Sequence, residues 1–273
     1  MRVTLPILFI LTLGLLSGCN EHKKVMESND DDLKLKKARE YYNKGEYMKA
    51  SDLLKDLVTL YRGSRKGKEV RYYHAYCHFG MEDYVMASYY FDRFRKTFPN
   101  SERAEEAFYM SAYCDYLNSP EWSLDQSETR KAIHKLQLFT DRYPNSSRVD
   151  SCTKLIEELR GKLERKAFEK SKLYLRTRHY RAAVESFENT LEKFPDSRYR
   201  EDIFFLRFKA RFKLALKSVA AKKEERLKAA ISSYHKFAKA FPDSEKLVEA
   251  KGMLSRLRSR LEELEKKASA ESS

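Results

Sequence analysis

The chain has 273 residues, with 55 lysines and arginines against 41 acids, for a net charge of +14. Glycine is scarce at 8 and aromatics reach 13%, which excludes collagen-like and low-complexity chains; the lack of strand-like alternation excludes an all-β fold. The basic excess does not imply a nucleic-acid partner. Bases are interleaved with acids, as in Arg256-Leu257-Arg258-Ser259-Arg260-Leu261-Glu262-Glu263, which is the pattern of a solvated helix face. Anionic lipid headgroups, an acidic partner surface or simple solubility would account for it.

Taken in chain order, residues 1–18 read as an export signal. Met1-Arg2 is a short positive start, Leu5 to Leu16 is apolar but too short to span a bilayer, and Leu16-Ser17-Gly18-Cys19 closes the segment. That ending resembles a bacterial lipobox, in which the cysteine thiol takes a diacylglycerol before cleavage. Cys19 is therefore the expected lipidation site, and an ordinary signal with an incidental cysteine is the alternative. Asn20 favours the outer membrane by resemblance to enterobacterial sorting. The mature chain would keep a net charge of +13. Residues 19–32 are expected to be the lipidated cysteine and a flexible tether.

Residues 33–244 carry a repeat. Phe98-Pro99-Asn100-Ser101, Tyr143-Pro144-Asn145-Ser146, Phe194-Pro195-Asp196-Ser197 and Phe241-Pro242-Asp243-Ser244 use four of the six prolines, and Tyr61-Arg62-Gly63-Ser64 is a weaker copy. Each follows an amphipathic run. Proline stops a helix, and Asn or Asp followed by Ser is expected to cap the next one. The runs have one pattern: Ala38-x-x-Tyr41-Tyr42-x-x-Gly45-x-Tyr47-x-x-Ala50, then Tyr84-x-x-Ala87-x-x-Tyr90-Phe91, then Tyr180-x-x-Ala183-x-x-Ser186-Phe187. Ala132, Leu136 and Phe139, and Ala230, Tyr234 and Phe237, hold matching places in the other two. These are two-helix hairpins resembling tetratricopeptide repeats. The expected fold is all-α, a solenoid of five tetratricopeptide-like helix hairpins with a C-terminal capping helix.

The signals lie 37, 45, 51 and 47 residues apart, longer than the usual repeat of about 34, so insertions are expected. Residues 118–128, with Pro120 and Trp122, read as a loop in repeat three. Residues 148–176 read as a lengthened first helix of repeat four, and residues 216–227 extend repeat five. Residues 245–273 are expected to form the cap, with Leu247, Met253, Leu254, Leu257, Leu261 and Leu264 on its buried side and a frayed tail from Ala268.

Candidate chemistry is thin. Cys77, Cys114 and Cys152 read as buried free thiols, with a disulfide as the alternative. His74 and His78 flank Cys77 on one helix without a third and fourth ligand at suitable spacing, so no metal is expected. Glu105-Glu106 and Glu262-Glu263 read as surface charge. There is no Gly-rich phosphate loop, nucleophile elbow or His-Glu-x-x-His stretch, so neither an enzyme nor a cofactor is expected.

What remains is binding. The first helices are rich in tyrosine, and Tyr42, Tyr72, Tyr76, Tyr109, Tyr113 and Tyr116 are expected to line a groove, with tyrosine offering a large apolar face plus a hydroxyl. The first helix of repeat five is basic, and Arg207 and Arg211 are expected to meet a partner there. Two registers are open. Ala75 sits at the small-residue position in one, while Gly80 is the turn glycine in the other, which turns some tyrosines into core.

Lipobox plus repeats resembles the BamD family of lipoproteins of the β-barrel assembly machinery. The most specific stretch runs from Tyr143-Pro144-Asn145-Ser146 through Thr153-Lys154-Leu155, Leu159 and Leu163 to Leu191-Glu192-Lys193-Phe194-Pro195-Asp196-Ser197. Ser123-Leu124-Asp125-Gln126 looks like the Bacteroidetes version. The resemblance implies a scaffold on the periplasmic side of the outer membrane. Later repeats would dock the BamA insertase and other machinery subunits, and early repeats would receive the aromatic-ended C-terminal strand of unfolded outer-membrane clients. Ser186 departs from the family at a position that is basic in enterobacterial relatives. A CpoB-like Tol-Pal coordinator is the alternative, although residues 20–37 offer no heptads for its coiled coil.

Overall fold

A computed structural model describes residues 21–62 and 64–271. The signal segment and Cys19 lie outside them. The described chain is helical: α1 (21–26), α2 (Asp31–Asn43), α3 (Tyr47–Leu60), α4 (Arg65–Gly80), α5 (Tyr84–Thr97), α6 (Ala104–Leu117), α7 (Ser127–Arg142), α8 (Val149–Arg176), α9 (Tyr180–Lys193), α10 (Arg200–Leu216), α11 (Ala220–Ala240) and α12 (Leu247–Glu271). No strand occurs among the described residues. Five hairpins, α2–α3, α4–α5, α6–α7, α8–α9 and α10–α11, precede the capping helix α12 in a tetratricopeptide-like order.

Each hairpin ends as its tetrapeptide dictates. The residue before a proline is pushed towards extended backbone. Phe98, Tyr143, Phe194 and Phe241 accordingly close their helices at φ between −128° and −138°, while Tyr61, which no proline follows, sits at −91°. In all five copies the serine N–H then donates to the aromatic residue's carbonyl, at 3.1 to 3.3 Å. The restart differs from expectation. Only Ser64 caps its helix directly, accepting from Gly67 N at 3.0 Å. Ser146, Ser197 and Ser244 accept from the backbone two residues on, and each donates its hydroxyl hydrogen to a glutamate at one repeat's distance.

The hairpin turns settle the register. Gly45, Glu82 and Arg178 have φ of 76°, 60° and 64°, each two residues before the tyrosine that opens the second helix. Glu82, not Gly80, is therefore the turn residue. Seven residues upstream lie Ala38, Ala75 and Ser171, all buried where paired helices approach. Gly80 serves a different purpose: a Cβ there would lie 2.4 Å from the Tyr47 ring.

The chain divides within α8, after Leu159, into two compact units. In the first, three apolar clusters centre on Leu53, Leu54 and Leu57, on Phe91 and Phe94, and on Phe108, Leu136 and Phe139. In the second, Phe168, Phe187 and Ile203 form one cluster, and α12 lays Ala250, Met253, Leu254 and Leu257 on Phe208, Phe212 and Phe237 in another. Leu247, Leu261 and Leu264 pack at that cluster's margin, and the helix runs to Glu271.

The expected tether is shorter than 19–32. Val25 on α1 is 6% exposed within the cluster of Leu35, Ala38 and Leu53, and Glu21 pairs with Lys37 at 2.8 Å. A buried valine contributes about 1.5 kcal/mol or more, enough to dock a short helix on the open end of the first hairpin. Asp30 then caps α2 by accepting from Leu33 N at 2.9 Å.

Candidate partner-binding surface

The six predicted tyrosines come together. They belong to one continuous path of ring contacts across α2, α4 and α6. Tyr42 meets Tyr73 edge-on at 5.0 Å, Tyr73 meets Tyr72 at 6.1 Å, and Tyr72 meets Tyr76 at 4.8 Å. The path continues from Tyr76 to Phe79 at 6.3 Å and from Phe79 to Tyr113 at 6.4 Å. Tyr113 then stacks nearly parallel with Tyr109 at 5.9 Å and with Tyr116 at 5.8 Å. Residues 109, 113 and 116 share a helix face because they are four and three apart. All six tyrosines are half-buried.

Electrostatics divides the path. Glu106 on α6 accepts from the Tyr72 hydroxyl at 2.8 Å and the Tyr76 hydroxyl at 2.7 Å. Arg103 lies over the Tyr72 ring at 4.3 Å. Burial, together with the Glu106 charge, raises the pKa of both phenols, so they remain neutral donors. The other end is more open. Tyr116 donates to Glu158 at 2.6 Å, which, with burial, pushes its pKa up to about 12, and Arg148 lies over Tyr109 at 5.2 Å. Among the described residues, the Tyr42 and Tyr113 hydroxyls have no hydrogen-bond partner. Tyr113, at the centre of the stack, is the best placed to take one from outside.

Glu105 and Glu106 were expected to be surface charge, and that expectation is corrected. Glu106 is the acceptor for two tyrosines, and Glu105 accepts from Ser146 at 2.6 Å. Tyr72 and Glu106 are 34 residues apart, one repeat, and that interval was the available sign of their contact. A second polar cluster forms without any local sign in the sequence. Asp115, 3% exposed, pairs with Lys135 at 2.6 Å, and Lys135 also donates to Ser88 at 2.9 Å and Ser111 at 3.0 Å.

In the second unit Arg207 and Arg211 are engaged internally. Arg211 pairs with Glu188 of α9 and donates to the Ala229 carbonyl at 3.4 Å. Arg207 is 12% exposed, lies over Phe204 at 4.8 Å and approaches Glu188 at 3.9 Å. Lys209 pairs with Glu249 at 2.7 Å. Much of the positive charge expected on this helix is thus neutralised within the unit.

His74 and His78 meet edge-on at 4.9 Å, and His78 faces Asp83 at 3.1 Å. Cys77 points the other way, into the first apolar cluster. No group of ligands suited to a metal ion occurs among the described residues. Cys77, Cys114 and Cys152 are buried free thiols, with burial pushing the first two up to about 12 and the third to about 11.

Known proteins resemble this chain in sequence over most of its length. The family model YfiO, described as an outer membrane lipoprotein, matches residues 28–227. The outer membrane protein assembly factor BamD of Caulobacter vibrioides is 22% identical over 208 residues, covering 75% of this chain and 68% of its own. That of Xylella fastidiosa strain 9a5c is 25% identical over 212 residues, covering 71% of each. That of Pasteurella multocida is 22% identical over 254 residues, covering 89% of this chain and 95% of its own. Among solved structures, a TPR repeats protein of Bacteroides fragilis aligns at 14% identity with a TM-score of 0.38, covering 85% of this chain and all of its own. The matched family is not an enzyme family. With a family match over residues 28–227, most of its length, the chain belongs to the YfiO outer membrane lipoprotein family.

Proposed function

We propose that the chain is a lipid-anchored scaffold that helps assemble β-barrel proteins into the outer membrane, held at the periplasmic face by acyl chains on Cys19. The observation that carries this reading is the similarity, over at least 71% of the chain, to the three relatives named outer membrane protein assembly factor BamD. In this reading the early repeats receive unfolded clients. The stack Tyr109–Tyr113–Tyr116 presents three half-buried rings and one unpartnered hydroxyl, suited to the aromatic-ended last strand of a barrel protein. The later repeats dock BamA, with Arg207 and Arg211 holding the α9–α10 face in shape through Glu188.

A photo-crosslinker replacing Tyr113 should capture a nascent barrel's C-terminal strand, and BamA should co-purify from solubilised outer membranes. Recovery of Tol-Pal components without any barrel protein, or crosslinks only near Arg207 and Arg211, would overturn this division of labour. Radiolabelled palmitate should enter the protein at Cys19 and be lost in Cys19→Ser.

A further inference from the structure

The second unit carries a charged edge that the scaffold role leaves unused. The turn of repeat four exposes Arg176, Arg178 and Arg181, and the turn of repeat five exposes Lys217. The two turns adjoin, because Lys217 lies over the Tyr180 ring at 5.5 Å. Of the nearby carboxylates, Glu185 pairs with Arg181 at 3.1 Å, and Glu169 lines a cavity with Arg176. Beside these cations Val219 stands 69% exposed at the tip of the α10–α11 turn. Cations on long stems around an aromatic ring and a protruding aliphatic side chain suit the headgroup layer of a bilayer, where charge meets phosphate and Val219 enters the acyl boundary. An acidic protein surface would satisfy the charges but would leave the isolated valine without a role.

We propose that these two hairpin tips form a contact surface for anionic phospholipid headgroups. It would act as a second, electrostatic attachment beside the acyl chains. The inference uses the family only to put a bilayer within reach, and it is independent of client binding.

The test uses the full chain with an environment-sensitive fluorophore at Val219→Cys, reconstituted in vesicles of phosphatidylcholine alone or mixed with phosphatidylglycerol. With brominated lipid present, the label is expected to be quenched and blue-shifted only in the anionic vesicles. High salt, or Arg178→Glu with Lys217→Glu, should reduce the quenching at least about fivefold. Arg176→Glu with Arg181→Glu is a second variant at exposed positions, expected to act the same way. Crosslinking at Tyr113 should be unchanged in both, which separates this surface from the client site. Equal quenching in neutral and anionic vesicles would overturn the proposal. So would a label that lipid never quenches but that solubilised outer-membrane protein shields from iodide, which would assign the edge to an acidic protein instead.

Discussion

The Ser146 hydroxyl donates to Glu105 at 2.6 Å, joining the turn after repeat three to the start of that repeat's first helix. The same clasp recurs as Ser197 with Glu164 and Ser244 with Glu201. A basic residue beside each serine completes it: Arg148, Arg198 and Lys246. Repeat one keeps only the ionic half, Lys66 with Asp32.

Burial ranks these clasps. Glu164 is 9% exposed and accepts from the Arg198 backbone at 2.9 Å as well as from Ser197, whereas Asp32 has 71% of its side chain exposed. Glu164→Ala, which strands buried donors, is expected to cost about 1–3 kcal/mol. Asp32→Ala should have little measurable effect, because exposed pairs are screened. Urea denaturation of the two variants checks the order.

Lys135→Met should be among the most damaging changes in the first unit. It leaves the buried Asp115 carboxylate with only the Ser88 hydroxyl and the more distant Lys131, at 3.8 Å, for which a loss of about 3 kcal/mol is expected. Adding Asp115→Leu should recover a large part of the lost stability, since both charges are then gone. A thermal melt of the single and double variants reads the difference.

Glu82→Gly should stabilise. Glu82 holds φ at 60°, a left-handed conformation that costs a residue with a Cβ roughly 1 kcal/mol relative to glycine. Gly45 already has the favoured residue at the matching turn, so Gly45→Ala should destabilise by a similar amount. A small rise in melting temperature for the first variant and a fall for the second are expected.

Stability should fall on mild acidification because of His74. Burial, reinforced by His78, lowers its pKa from 6.5 to about 4. The unfolded chain therefore binds a proton that the folded chain refuses, so stability is full above pH 6.5 and declines as pH drops towards 4. The decline would reach about 3 kcal/mol, at 1.36 kcal/mol per pKa unit. His74→Gln should flatten the melting temperature between those two pH values.

The hairpins were legible in the sequence because their signals are local. Proline ends a helix through its own ring and missing N–H, and apolar residues three and four apart mark a face wherever the helix goes. The long α8, the loop before α7 and the buried side of α12 all followed from such cues. Gly45 marked one turn correctly. Gly80 misled, because a glycine can mean either positive φ or close approach, and the Tyr47 ring that distinguishes them lies on another helix.

The sequence by itself determined the all-helical class, the five hairpins and the C-terminal cap, all set by interactions within a few residues. Only the tertiary structure decided how the charges and hydroxyls are used. Tyr72 and Tyr76 give their hydrogens to Glu106, Arg211 pairs with Glu188, and α1 docks through Val25. Each of those outcomes depends on a side chain from another helix, and a hydrogen bond or ion pair forms only where folding brings its two halves within about 3 Å.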